Sequence, residues 1–312
     1  HSEPFDAFIA RYGAAAGRMR PAVEAFDPSA ARAWCEGLGQ ETFVGTSGRV
    51  FPKSMKASPL LRAWLRRLSD QGVTVHTRHE WIGWAADGAL QFRGPDGAEL
   101  RVSPVATLFA LGGASWPRLG SRGDWVPLLT GKGVSVVPFK PANSGINVAW
   151  SPVFAERFAG ASLHGASFSI GGQSVRGEAT VTPYGLEGGA IYALSQRIRD
   201  AVDAEGKAIL QIDLRPEMPL QRLVEKLNRP RGGDSASNYL RKAISLDPVS
   251  INLMREAFGA KFDLEPSALA KSLKALKLTV TGVQPLARAI SSAGGVAVDA
   301  LDETLMLRAI PG

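Results

Sequence analysis

The chain has 312 residues, with 36 Lys and Arg against 29 Asp and Glu, a formal net charge of +7. Charged residues at 21% and apolar residues at 45% exclude wholesale disorder, and no apolar run approaches the roughly 18 residues that a membrane-spanning helix needs. One cysteine, Cys35, excludes an intramolecular disulfide framework, a CxxC redox pair and a zinc site of several thiolates. A reducing, cytoplasmic setting is therefore expected; no signal-peptide pattern is visible at His1.

Asp27-Pro28 offers an N-cap and a first-turn proline for a helix running through Trp34 toward Gly37. The stretch 45–54 reads as a loop. Ser58-Pro59 repeats the helix-start signal, Leu60, Leu61, Trp64, Leu65 and Leu68 follow at helical spacing, and Gly72 sits where a C′ glycine belongs. A strand is predicted from Glu80 to Trp84, with turns at Asp87-Gly88 and Asp96-Gly97 joining antiparallel strands. The meander is expected to end in a fully buried strand over the apolar run Val105 to Leu111. Gly112-Gly113 stops it, Asp124 is placed to cap a short helix through Leu129, and Val134 to Val137 reads as a strand. This order matches the later part of a nucleotide-binding α/β domain.

From Pro141 the texture changes. Ala161 to Ile170 and Ser174 to Thr182 read as strands, and a helix is predicted from Gly188-Gly189 to Val202. Pro219 to Leu276 is helical in pattern, broken at Arg231-Gly232-Gly233-Asp234. Leu278 to Gly282, Ala293 to Val296 and Leu305 to Leu307 return to β.

No dinucleotide fingerprint is present: Gly37-Leu38-Gly39 has Thr42 where a third glycine belongs, and it ends a helix instead of following a strand. The most informative piece is Thr107 to Gly113. A strand ending in two glycines lets backbone approach a flat cofactor or its phosphates; a tight strand-to-loop turn accounts for the same residues. The polar run from Ser115 to Asp124 favours a ligand, since α/β sheets bind ligands beyond the carboxyl ends of parallel strands. Arg49-Val50-Phe51-Pro52-Lys53 reads as a cofactor-lining or solvated loop, and Thr182 to Gly189 as an anion-binding or merely turning helix start. His76 and His79, three apart on an extended segment, point to opposite faces and lack a metal spacing. Cys35 reads as a small buried hydrophobe. Arg229, Arg231, Arg241 and Lys242 form a basic cluster that is either a solvated face or a nucleic-acid contact.

Five segments recur in order: Arg49 to Ala57, Ala110 to Pro117, Gly120 to Asp124, Thr182 to Leu186, and Ala293 to Val296. Together they resemble the YhiN-like flavoproteins, also described as BaiN/RdsA-type NAD(P)/FAD-dependent oxidoreductases or aminoacetone-oxidase-family enzymes. The resemblance implies an α/β (overall α+β) protein: a partial glutathione-reductase-like FAD-binding domain with a β-rich domain that carries a helical insertion. The implied organisation is FAD-binding domain 1–139, β-rich domain 140–213, helical insert 214–276, β-rich return 277–299, and re-entry to the FAD domain 300–312. It also implies that the chain starts after the family's strand–GxGxxG–helix unit and stops, at Pro311-Gly312, before its C-terminal flavin segment, so that this piece binds FAD weakly.

By the same resemblance, Ala110-Leu111-Gly112, followed by Gly113, occupies a cofactor motif, with leucine where threonine is usual. Trp81-Ile82 occupies the stretch whose backbone meets the adenine, and Arg49, Phe51, Pro52 and Ser115 lie near the cofactor. The implied function is an FAD-dependent oxidoreductase, linked to NAD(P)H and acting on a small molecule; no side chain is singled out as acid or base, because the flavin carries the redox step. The competing expectation is a non-enzymatic basic module that binds nucleic acid or a protein. It is the weaker one, since aromatics and basic residues do not interleave as in RNA-binding patterns.

Overall fold

The computed structural model describes residues 2–45, 48–259 and 261–310. Thr46 and Ser47 of the predicted loop, and Pro311-Gly312, lie outside the described residues. The chain folds as two compact units, His1–Glu80 with Gly94–Ala98, and Trp81–Arg93 with Glu99–Gly312.

The first unit holds helices α1 (Phe5–Ala10), α2 (Ala16–Ala25) and α3 (Pro28–Gly37), the hairpin β1 (Thr42–Val44) and β2 (Val50–Pro52), and α4 (Ala57–Asp70). Asp27 caps α3 by accepting from the Ala30 N–H at 2.7 Å, with Pro28 in the first turn, as the sequence predicts. Phe43 pairs with Phe51 across the hairpin, their rings 5.9 Å apart. Helix α4 forms, but it starts at Ala57 with Lys56 at the N-cap, so Ser58 does not cap it, and none of its residues is buried: Leu61, Trp64 and Leu65 remain 51%, 42% and 42% exposed.

The chain continues into β3 (Glu80–Trp84), β4 (Leu90–Arg93) and β5 (Glu99–Val102), hydrogen-bonded in that order. The predicted buried strand over Val105 to Leu111 does not form. No strand pairs with it among the described residues, and Val105 and Leu108 are 108% and 93% exposed. An apolar run supplies the propensity, whereas a strand also needs a neighbour for its N–H and C=O groups. The parallel strand expected there is corrected likewise: every pairing with a described register is antiparallel. After α5 (Val126–Thr130) comes β6 (Val136–Pro141). Asp124 does not cap α5; its carboxylate pairs with Arg122.

The rest of the second unit is built around a closed barrel. Its elements are β7 (Ile146–Val148), α6 (Pro152–Phe158), β8 (Ser162–Ile170), β9 (Gln173–Thr182), β10 (Gly185–Glu187), α7 (Gly189–Glu205), β11 (Ala208–Asp213), α8 (Leu220–Leu227), α9 (Ala236–Ile244), α10 (Pro248–Phe258), α11 (Pro266–Lys274), β12 (Leu276–Val283) and β13 (Ser292–Val296). The barrel order is β10-β7-β12-β11-β8-β9, while β13 pairs with β6. Alternation dictates the core: on β11, Ala208, Leu210 and Ile212 point inward and face Val280, Leu278 and Leu276 of β12. Helix α7 covers this core with Ile191, Leu194 and Ile198 at helical spacing. Helices α8 to α11 lie between β11 and β12 in sequence and add Leu223, Leu240, Leu253 and Leu269 to the same core. Leu305 to Leu307 is not a strand; only an isolated bridge, Leu301 to Leu307, remains, and Leu305 takes a positive φ of 68°.

Candidate cofactor site

The segment Ala110–Ser115 is a loop held from one side by a single hydroxyl. Ser292, the first residue of β13, accepts hydrogen bonds at its Oγ from the N–H groups of Ala114 (2.9 Å) and Ser115 (3.1 Å). Ser115 is buried, at 8% exposure. The approach is so close that a Cβ on residue 113 would stand 2.5 Å from Ser292 Oγ, so this contact by itself requires a glycine at 113. Gly112 is different. Its φ is +70°, it is exposed, and a Cβ there would meet nothing within 4 Å. Its carbonyl accepts from Trp125 Nε1 at 3.1 Å, and the N–H groups from Ala110 to Gly113 have no acceptor among the described residues.

Trp125 is 5.6 Å from Phe139 of β6, edge to face, and β6 pairs with β13 through a bulge. At that bulge Gly294 has φ +94°, and a Cβ would lie 2.5 Å from the Pro138 carbonyl oxygen. The neighbouring segments 110–117 and 120–125 therefore meet the distant segment 292–296.

The adjoining wall is aromatic. Trp81 of β3 lies 4.8 Å from Trp84 and 5.0 Å from Phe109, centroid to centroid, and Lys132 sits 5.4 Å over the Trp84 ring. The Phe109 contact brings β3, with half-buried Ile82, alongside the start of the glycine loop. Trp81, Ile82, Ala110, Leu111, Gly112, Gly113 and Ser115 thus belong to one neighbourhood. Arg49, Phe51 and Pro52 belong to the first unit. Phe51 and Pro52 line a cavity of about 500 Å³ there, with Phe8, Trp34, Cys35 and Leu60, while Arg49 is exposed. Burial raises the Cys35 thiol pKa, helped by the Glu36 charge, and its Sγ–H faces the Gln40 carbonyl at 3.5 Å.

The Thr182 to Leu186 segment turns from β9 into β10. Tyr184 Oη donates to the Glu187 carboxylate at 2.6 Å, and the Arg288 guanidinium lies 5.1 Å over the ring centroid. Burial first, then the bond to Glu187, pushes the Tyr184 pKa up to about 12. Tyr192 is raised too, by burial and by the Glu187 charge.

Other expectations are adjusted. His76 and His79 do not point apart on a strand; a turn brings their rings within 5.4 Å, edge to face. No group of three or more His, Cys, Asp or Glu is placed to hold a metal among the described residues. In the basic cluster, Lys242 pairs with Asp234 at 2.9 Å and Arg231 donates to the Asp234 carbonyl at 2.6 Å, so part of its charge serves the α8–α9 turn. Sequence reasoning missed Ser292, although it directly precedes the Ala293 to Val296 motif, and missed Trp125 and Arg288, which nothing in the sequence marks.

Backbone donors left free on a glycine loop can receive an anionic group. Among known families, the model described as HI0933-like protein Rossmann domain matches residues 1–312. The chain belongs to that family, one of FAD-binding flavoproteins. No helix among the described residues is long and apolar enough to cross a membrane.

Proposed function

We propose that the protein is an FAD-dependent oxidoreductase that takes electrons from NAD(P)H and passes them to a small-molecule substrate. The carrying observation is the run of N–H groups from Ala110 to Gly113 without protein acceptors, beside a Gly112 whose outer side is open. Those residues fit the cofactor: the left-handed Gly112 presents bare backbone, Ser292 fixes the loop behind it, and Trp81 and Ile82 offer a strand edge and an apolar wall. Ala110, Leu111, Gly112, Gly113 and Ser115 would hold the nucleotide part, and Arg49, Phe51 and Pro52 are assigned to its surroundings by family resemblance. When bound, FAD supplies the electron-transfer chemistry; the protein's part is to bind, orient and exclude water. Membership of a flavoprotein family supports the cofactor, and the lone buried Cys35 supports a flavin without a redox-active disulfide.

The test is spectroscopic. Protein expressed from its complete gene is expected to purify yellow, and its flavin band is expected to bleach under anaerobic NADH or NADPH. A colourless protein that takes up no added FAD overturns the cofactor; a bound flavin that neither nucleotide reduces overturns the electron donor.

A further inference from the structure

Arg288 lies within the short strap between β12 and β13. Both ends of the strap are tied to the segment before β7: the Gln284 N–H donates to the Gly145 carbonyl at 2.8 Å, and the Ile290 N–H donates to the Asn143 carbonyl at 2.7 Å. The Ser291 hydroxyl also donates to Asn143 Oδ1. The next residue is Ser292, which holds the glycine loop. Arg288 is thus carried by an anchored backbone, and its guanidinium rests over the Tyr184 ring.

The Tyr184 ring takes one face of its charge. Among the described residues Arg288 has no carboxylate partner, and the carboxylate of Glu187 is engaged by the Tyr184 hydroxyl at 2.6 Å. A guanidinium supported on an aromatic face keeps its fork of N–H donors for a planar two-oxygen acceptor. We propose that Arg288, seated on Tyr184, is the docking point for a carboxylate group of the small-molecule substrate. The assignment of that ligand as substrate rests on the oxidoreductase reading above; the binding site itself does not. A single guanidinium, with the Glu187 carboxylate on the same tyrosine, favours a monoanion over a dianion, whose second charge that carboxylate would repel. This selects a carboxylic acid over a phosphate ester.

The experiment titrates acetate, benzoate and inorganic phosphate into the full chain at constant ionic strength, with wild type, Arg288→Gln and Arg288→Lys compared by calorimetry. Flavin content is measured on the same samples. Wild type is expected to bind benzoate saturably and more tightly than phosphate. Arg288→Gln is expected to weaken benzoate binding about fivefold, and Arg288→Lys is expected to fall between, keeping the charge but losing the fork. Equal benzoate binding by wild type and Arg288→Gln, no benzoate binding by wild type, or phosphate binding as tight as benzoate overturns the proposal. If benzoate follows Arg288 in protein that never takes up flavin, the carboxylate site stands and the oxidoreductase reading falls. If flavin is bound and benzoate ignores Arg288, the site alone falls.

Discussion

Ser292 Oγ occupies the space that a side chain on residue 113 would need, and from there it accepts two backbone hydrogen bonds from Ala114 and Ser115. The glycine and the serine are therefore one device, in which a missing Cβ admits the hydroxyl that shapes the loop. Gly113→Ala is expected to destabilise by about 1–3 kcal/mol through overpacking. Ser292→Ala is expected to cost about 1–3 kcal/mol by orphaning the N–H groups, one of them on buried Ser115. The double variant Gly113→Ala/Ser292→Gly removes the clash and should be more stable than the sum of its single variants by about 1 kcal/mol or more. Urea unfolding of the cycle decides; strict additivity would show that the two residues do not act together.

Gly112 and Gly113 should separate binding from stability. A Cβ at 112 meets no protein atom, so Gly112→Ala costs only its left-handed backbone, about 1–2 kcal/mol, whereas it intrudes on the face assigned to FAD. Gly112→Asn, which tolerates that conformation, is expected to recover most of the stability while FAD affinity stays lowered by about tenfold. Normal FAD content in Gly112→Asn would move the cofactor elsewhere.

Tyr184 makes alkaline stability a readout of its surroundings. Its folded pKa, pushed up to about 12, exceeds the ordinary value of 10.0, so the native state holds the proton more tightly than the unfolded chain. Its contribution is fully present below pH 10 and is lost as pH rises from 10 toward about 12. Tyr184→Phe is expected to show a shallower fall of unfolding free energy across that window. An unchanged slope would mean that Tyr184 titrates as in the unfolded chain.

Cys35 should be a slow thiol. It is 8% exposed and its pKa is raised by burial, both of which lower the reactive thiolate at the surface. Labelling at pH 8 is expected to run about a hundredfold slower in native than in urea-unfolded protein. Native labelling at the unfolded rate would place the thiol in open solvent.

Local signals in the sequence settled the elements that depend on neighbours a few residues away. Asp27-Pro28 starts α3, Asp87-Gly88 and Asp96-Gly97 turn the meander, and Gly188-Gly189 opens α7, because caps and turns are decided within one turn of chain. The sequence also marked Thr107 to Gly113 as its most informative stretch. What it did not determine was partnership. Val105 to Leu111 has the composition of a core strand yet finds no ladder among the described residues, and α4 has an apolar stripe that stays half exposed. The closure of the barrel, the use of Gly113 by a serine nearly 180 residues away, and the seat of Arg288 on Tyr184 are contacts between distant segments. No local pattern encodes them, since each depends on which surfaces the packed chain brings together, and only the tertiary structure decides that.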